Sequence, residues 1–187
     1  KLALWSPFNE YVDSDGQVLY NDDFRFIAIA NPRIAPYGIA SKETLTSMNL
    51  WQDMEEKLVR GENIAQTFQF AKSGNAKLGF VSYSQILNLN SSSEGSYWLV
   101  PQSMYQPIEQ QAILLKDSSL GKDFLSFIMS DEALDIIKRN GYDLQQEINV
   151  QDIKVLHLES QNFLKINICQ QLYHQVHTLN KLMLCTN

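Results

Sequence analysis

The sequence predicts an α/β domain, a mixed or mostly parallel sheet flanked by helices. Three observations carry this. Short apolar runs alternate with amphipathic, capped segments along residues 1–143. The run Phe24-Arg-Phe-Ile-Ala-Ile-Ala30 is nearly continuous in apolar residues, as a strand covered on both faces requires. All eight glycines and all five prolines precede residue 143, so that stretch has ordinary turn punctuation and 144–187 has none.

The elements follow in order. Leu2–Trp5 reads as a short strand ended by Ser6-Pro7. Phe24–Ala30 is the second strand, broken by Asn31-Pro32. Ile34–Gly38 reads as a loop, followed by a helix through Met48 with Leu45 and Met48 on one face. Asn63 is placed to cap a helix from Ile64 to Ser73, whose Ile64, Phe68 and Ala71 share a stripe. Gly74 stands where a left-handed stop belongs. Leu78–Ser82, Tyr97–Val100 and Ala112–Leu115 read as strands, with a polar loop at 88–95. Gly121 opens a helix bearing Phe124, Phe127 and Ile128. Ser130 or Asp131 caps another, with Ala133, Ile136 and Ile137 inward and Asn140-Gly141 as its stop. Beyond residue 143 the signals fade. Ile148–Leu158 fits a strand or a helix, and Phe163–Leu184 has a loose helical apolar pattern. The expected division is therefore 1–143 as one fold unit and 144–187 as an atypical tail.

Composition sets limits on function. With 44% hydrophobic and 19% charged residues, the chain can bury a core. A net charge of -6 argues against a nucleic-acid or anionic-membrane surface. Anion binding remains open to it, because neutral donors and helix starts do not need a basic field. No apolar run approaches the ~20 residues of a membrane helix, and no signal peptide precedes Leu2.

Residues 1–143 contain neither His nor Cys, so the commonest general base and the thiolate nucleophile are missing there. Asp22-Asp23 and Glu55-Glu56 read as solvated surface pairs. His174 and His177 have i, i+3 spacing but no evident third ligand, which favours a solvated pair over a metal site. Cys169 and Cys185 allow one disulfide or two free thiols. No metal, cofactor or catalytic residue is implied.

Two turn-to-helix crossings carry neutral donors. At Ala35-Pro36-Tyr37-Gly38 a tight turn lets Tyr37 aim its hydroxyl. At Gly61-Glu62-Asn63-Ile64 the amide of Ile64 faces outward from a helix start. Each alone also fits a structural role, Tyr37 as a core-edge aromatic and Asn63 as a routine cap.

The order of the segments resembles the molybdate-binding proteins of ABC importers. The segments are Ala30-Asn-Pro-Arg-Ile-Ala-Pro-Tyr-Gly-Ile-Ala40, Leu50-Trp51, Leu58-Val-Arg-Gly-Glu-Asn-Ile64 and Gly74-Asn-Ala-Lys-Leu-Gly-Phe-Val81. Val100-Pro-Gln-Ser-Met-Tyr-Gln-Pro-Ile108, Gln111-Ala-Ile-Leu-Leu115, Phe124-Leu-Ser-Phe127 and Asn140-Gly-Tyr142 continue it. The resemblance implies a type II periplasmic-binding-protein lobe, truncated at the N-terminus, with Leu2–Ser6 as the strand that follows a first lobe. It implies that the Tyr37 hydroxyl and the Ile64 amide hold a molybdate or tungstate oxyanion. Some members add a tyrosine where this chain has Ser82, so Ser82 is the candidate third donor, with an ordinary strand hydroxyl as the alternative.

The resemblance further implies a periplasmic location, an ABC permease as partner and non-enzymatic capture. This chain alone is then expected to bind weakly or not at all, since half the donors are absent, and faces left bare by the first lobe are expected to favour self-association. An oxyanion-sensing regulatory domain and a non-functional truncated product are the alternatives.

Overall fold

The computed structural model describes residues 1–144, except 22, 88, 90–94, 110–111 and 115–117, together with 162–164. The chain forms two compact units, Lys1–Ile108 and Glu109–Asn187. The segments expected at Ile148–Leu158 and Phe163–Leu184, the three histidines and both cysteines fall outside the described residues, apart from Phe163 and Leu164.

The first unit is built on β1 (Leu2–Ser6), β2 (Ile27–Ala30), β3 (Leu58–Gly61), β4 (Leu78–Ser82) and β5 (Ser96–Leu99). They form one sheet in the order β3-β2-β4-β1-β5. β2 is parallel to β3 and β4, while β1 is antiparallel to β4 and β5. The mixed sheet expected from the alternation is therefore present.

Helix α1 (Pro36–Ser47) connects β2 to β3 by way of the short α2 (Trp51–Met54), α3 (Ile64–Lys72) connects β3 to β4, and the short α4 (Tyr83–Leu87) follows β4. Leu2 and Leu4 of β1, Leu78 and Phe80 of β4, and Tyr37, Ala40 and Leu45 of α1 share one core cluster. Ala3 and Trp5 of β1, Val81 of β4, and Phe68 and Ala71 of α3 share another. The period-2 alternation along β1 and β4 thus feeds two cores, one on each face. Phe80, Leu2 and Leu4 are fully buried, and the Trp5 and Phe68 rings pack at 5.2 Å.

Several elements differ from expectation at their ends. β2 begins at Ile27, yet Phe24 is buried in the core, so the apolar run marks burial rather than extended backbone. The loop expected at Ile34–Gly38 ends at Ala35. Pro36 takes the first helical position, where its missing N–H costs nothing, and α1 starts there. The side chain of Asn31 accepts from the Arg33 amide at 3.0 Å, and its carbonyl accepts from the Ala35 amide at 2.9 Å, turning the chain into the helix. The inner face of α1 carries Ser41 and Thr44, both fully buried. Their hydroxyls donate to the carbonyls of Tyr37 and Ala40 at 2.7 and 2.8 Å, which satisfies them inside the core.

Asn63 caps α3 as read from the sequence, accepting from the Gln66 amide at 2.9 Å. Gly74 has φ 76°, the left-handed stop. Replacing Asn63 with alanine removes that acceptor and is expected to cost about 1 kcal/mol of stability, read as a lower urea midpoint at unchanged slope.

At the far end of the first unit, the Asp13 carboxylate accepts from the amides of Asp15, Gln17 and Val18 at 2.9, 2.9 and 2.8 Å. Burial pushes this carboxyl upward. The amides of Gln17, Asp15 and Val18 outweigh it and hold the group below its ordinary 3.8. A depressed folded value gives stability that is present above 3.8 and lost as pH falls through the folded value. Asp13→Asn is expected to lower the urea midpoint at neutral pH and to converge with the wild type in acid. Parallel midpoints across the acid range would contradict this.

In the second unit, β6 (Ala112–Leu114) pairs antiparallel with β7 (Asn162–Leu164), and α5 (Ser119–Ile128) and α6 (Asp131–Arg139) follow β6 in sequence. Ser118, rather than Gly121, opens α5, its hydroxyl accepting from the Gly121 amide at 3.1 Å. Ser130 caps α6, and Gly141 at φ 85° follows its end.

Candidate functional site

Three parallel strands end at one rim, β2 at Ala30, β3 at Gly61 and β4 at Ser82. Leu2, at the start of antiparallel β1, lies opposite Ser82 on the same rim. The amide of Asn31 donates to the Gly61 carbonyl at 2.7 Å, tying together the chain leaving β2 and the end of β3. Open α/β sheets bind ligands beyond the carboxyl ends of their strands, where helices begin. Both long helices of this unit begin there.

Tyr37 is the second residue of α1 and is buried. Its hydroxyl donates to the Ser82 hydroxyl at 3.1 Å. Ser82 falls on the α1 face of β4, two residues after Phe80, so the phenol meets it across the core. The hydroxyls of Ser82 and Ser84 lie 2.7 Å apart. The Ser82 amide donates to Gln85 Oε1 at 3.0 Å, and Gln85 Nε2 donates to the Ile64 carbonyl at 3.3 Å. One chain of hydrogen bonds thus runs from Tyr37 through Ser82 and Gln85 to the first residue of α3. The three residues singled out in the sequence, Tyr37, Ile64 and Ser82, are brought together.

The start of α3 offers donors. Asn63 engages the Gln66 amide, while the amides of Ile64 and Ala65 precede any residue with a carbonyl one turn back inside the helix. Tyr83 turns elsewhere. Its ring lies 5.8 Å from that of Tyr97 on β5, and it packs with the Trp5 and Phe68 cluster on the other face. The hydrogen bond to Tyr83, then burial, hold the Tyr97 phenol above its ordinary value.

Gly38 sets how closely α1 approaches this rim. A Cβ there would stand 2.3 Å from the Ala30 carbonyl oxygen and 2.7 Å from the carbonyl carbons of Ala30 and Asn31. Only a residue without a side chain lets the first turn of α1, with Tyr37, sit against the end of β2.

Sequence reasoning missed Ser84 and Gln85. The signal was available, since Ser82-Tyr83-Ser84-Gln85 has the spacing of a capping box, in which the fourth side chain reaches back to the amide of the first. A depression of about 530 Å³ lined by Pro32, Ile39, Lys42, Glu43, Thr46 and Ser47 lies along the outer side of α1. It includes none of the three rim residues. Among the described residues, no group of His, Cys, Asp and Glu is arranged to hold a metal ion. No helix among them is long and apolar enough to cross a membrane.

The rim can therefore offer a phenol, two serine hydroxyls and helix-start amides, all uncharged. Such a set suits an oxyanion and provides no nucleophile paired with a base.

Comparison with known proteins agrees with this architecture. Residues 1–143 match the family described as bacterial extracellular solute-binding protein. The molybdate-binding protein ModA of Rhodobacter capsulatus is 43% identical over 145 residues, covering 76% of this chain and 56% of that protein. Its namesake from Azotobacter vinelandii is 41% identical over 148 residues, covering 78% of this chain and 59% of that protein. The solved structure of the Azotobacter vinelandii periplasmic molybdate-binding protein superposes with a TM-score of 0.73 at 38% identity, covering 78% of this chain and 65% of that one. The chain thus spans a little over half the length of the curated relatives it matches. On sequence and fold together, this chain belongs to the bacterial extracellular solute-binding proteins.

Proposed function

We propose that the chain forms one lobe of an extracytoplasmic receptor that captures molybdate, or the similar tungstate, for an ABC importer. The observation that carries this reading is the meeting of the Tyr37 hydroxyl, Ser82 and the first turn of α3 at one rim of the sheet. The two ModA relatives, named for molybdate binding, support the choice of anion.

A tetrahedral dianion must exchange its water shell for hydrogen bonds. In this reading the Tyr37 hydroxyl rotates its proton from Ser82 to an oxo group, and Ser82 or Ser84 then donates to the phenol oxygen in turn. The Ile64 amide supplies a second donor, strengthened by the helix dipole. Capture, closure about a hinge, delivery to the permease and release complete the cycle, with no covalent step. The protein then acts outside the cytoplasm and is no enzyme.

Amide NMR of the chain, titrated with molybdate at millimolar concentration, tests this. The signals of Ile64 and Ala65 are expected to move with saturation. No movement there, with folding intact, either in this chain or in a receptor that joins it to a second lobe, would remove the reading. Leu120, Phe124 and Phe127 lie exposed along α5, and pairing of two copies through such apolar faces is part of the proposal. Light scattering that finds only a monomer would remove that part.

A further inference from the structure

We infer that Gln85 is the positioning residue that sets the span of the anion cage, an inference that rests on the oxyanion reading of the rim. The two candidate donors come from different helices, α1 and α3. Tyr37 belongs to α1 and its core cluster; the body of α3 buries Phe68 and Ala71 in the other cluster, and only Ile64 at its start reaches the side chains around Tyr37. Something must fix the distance between them, because a cage of hydrogen bonds discriminates by size only when its donors cannot move apart.

Gln85 is built for this. Its side chain is 8% exposed and uses both ends of its amide. Oε1 accepts from the Ser82 amide at 3.0 Å, at the end of the strand whose hydroxyl accepts from Tyr37. Nε2 donates to the carbonyl of Ile64 at 3.3 Å, the same residue whose amide is the proposed second donor. One planar group therefore spans the end of β4 and the first turn of α3. Neither a carboxylate nor an apolar chain reproduces both bonds, since one lacks the donor and the other lacks both functions. Gln85 need not touch the anion. It acts through Ser82 and Ile64.

Two variants separate the clamp from simple loss of structure. Gln85→Glu keeps an acceptor for the Ser82 amide and removes the donor to Ile64. Gln85→Met keeps the length and removes both. Amide exchange of the full chain, with molybdate and sulfate titrations of the receptor that contains this lobe, followed by NMR, form the test.

In both variants the Ile64 and Ala65 amides are expected to exchange faster than in the wild type, and molybdate affinity is expected to fall about tenfold. The ratio of molybdate to sulfate affinity is expected to move toward one. Sulfate and molybdate carry the same charge, so repulsion by a new carboxylate would weaken both together and leave the ratio unchanged. Wild-type affinity and ratio in Gln85→Met, or unchanged exchange at Ile64 in both variants, would overturn the clamp. A wild-type receptor whose rim ignores both anions would instead overturn the oxyanion reading, and the role of Gln85 in it, while faster exchange in the variants still registered the structural bond.

Discussion

Replacing Tyr37 with phenylalanine is expected to weaken molybdate binding about thirtyfold in the receptor that contains this lobe. A hydrogen bond to a charged group contributes roughly 1.5–3 kcal/mol, and each 1.4 kcal/mol is a factor of ten. The ring keeps its place in the core between α1 and β4, because the substitution removes one oxygen and no carbon. Ser82 keeps a neighbour, since the Ser84 hydroxyl lies 2.7 Å away, so little stability should be lost. Calorimetric titration of wild type and variant, with thermal midpoints measured alongside, separates the outcomes. Unchanged affinity removes Tyr37 from the donors. An affinity loss that tracks a large drop in midpoint assigns it to folding instead.

Gly38→Ala carries the largest expected effect on stability. In an ordinary helix the change gains up to about 1 kcal/mol, because glycine is the poorer helix former. Here the added methyl would stand 2.3 Å from the Ala30 carbonyl oxygen, with carbonyl carbons of Ala30 and Asn31 at 2.7 Å. Those atoms are main chain at the end of β2, a strand held by β3 on one side and β4 on the other. No rotamer change relieves them, so α1 must lift. The expected cost is about 3 kcal/mol, measured as a lower urea midpoint. Because Tyr37 precedes Gly38, anion affinity should fall as well. A variant as stable as the wild type would mean that the contact is loose.

The order of strands and helices was legible because the apolar runs and caps follow local rules. Asn63, Gly74 and Ser130 act where their residue types predict. What was hidden is non-local. β3 is a four-residue edge strand whose Leu58 and Val59 are only partly buried and whose Arg60 is exposed, so no pattern marks it. The start of α1 was misplaced because Pro36 and Gly38, which read as loop residues, serve respectively as a helix opener and a close-approach point. Tyr37, Ile64 and Ser82 were named by chemistry and by resemblance, and they do share a rim. For Gln85 the reach back to Ser82 could be read from spacing, but its bond to Ile64, 21 residues earlier in the chain, is a fact of folding.

The placement of β1 has a kinetic consequence. The first strand of this sheet in chain order lies between β4 and β5, pairing Leu2 with Ser82 and Leu4 with Trp98. A nascent chain must therefore carry an unpaired apolar segment, Leu-Ala-Leu-Trp, until β4 emerges, and leave one of its edges open until β5 follows. Loop closure over such sequence separations slows folding and prolongs exposure of sticky intermediates. The unit should consequently fold late and depend on chaperones or dilution during its production, and mutations that weaken β1 should reduce yield more than they reduce the stability of the finished fold.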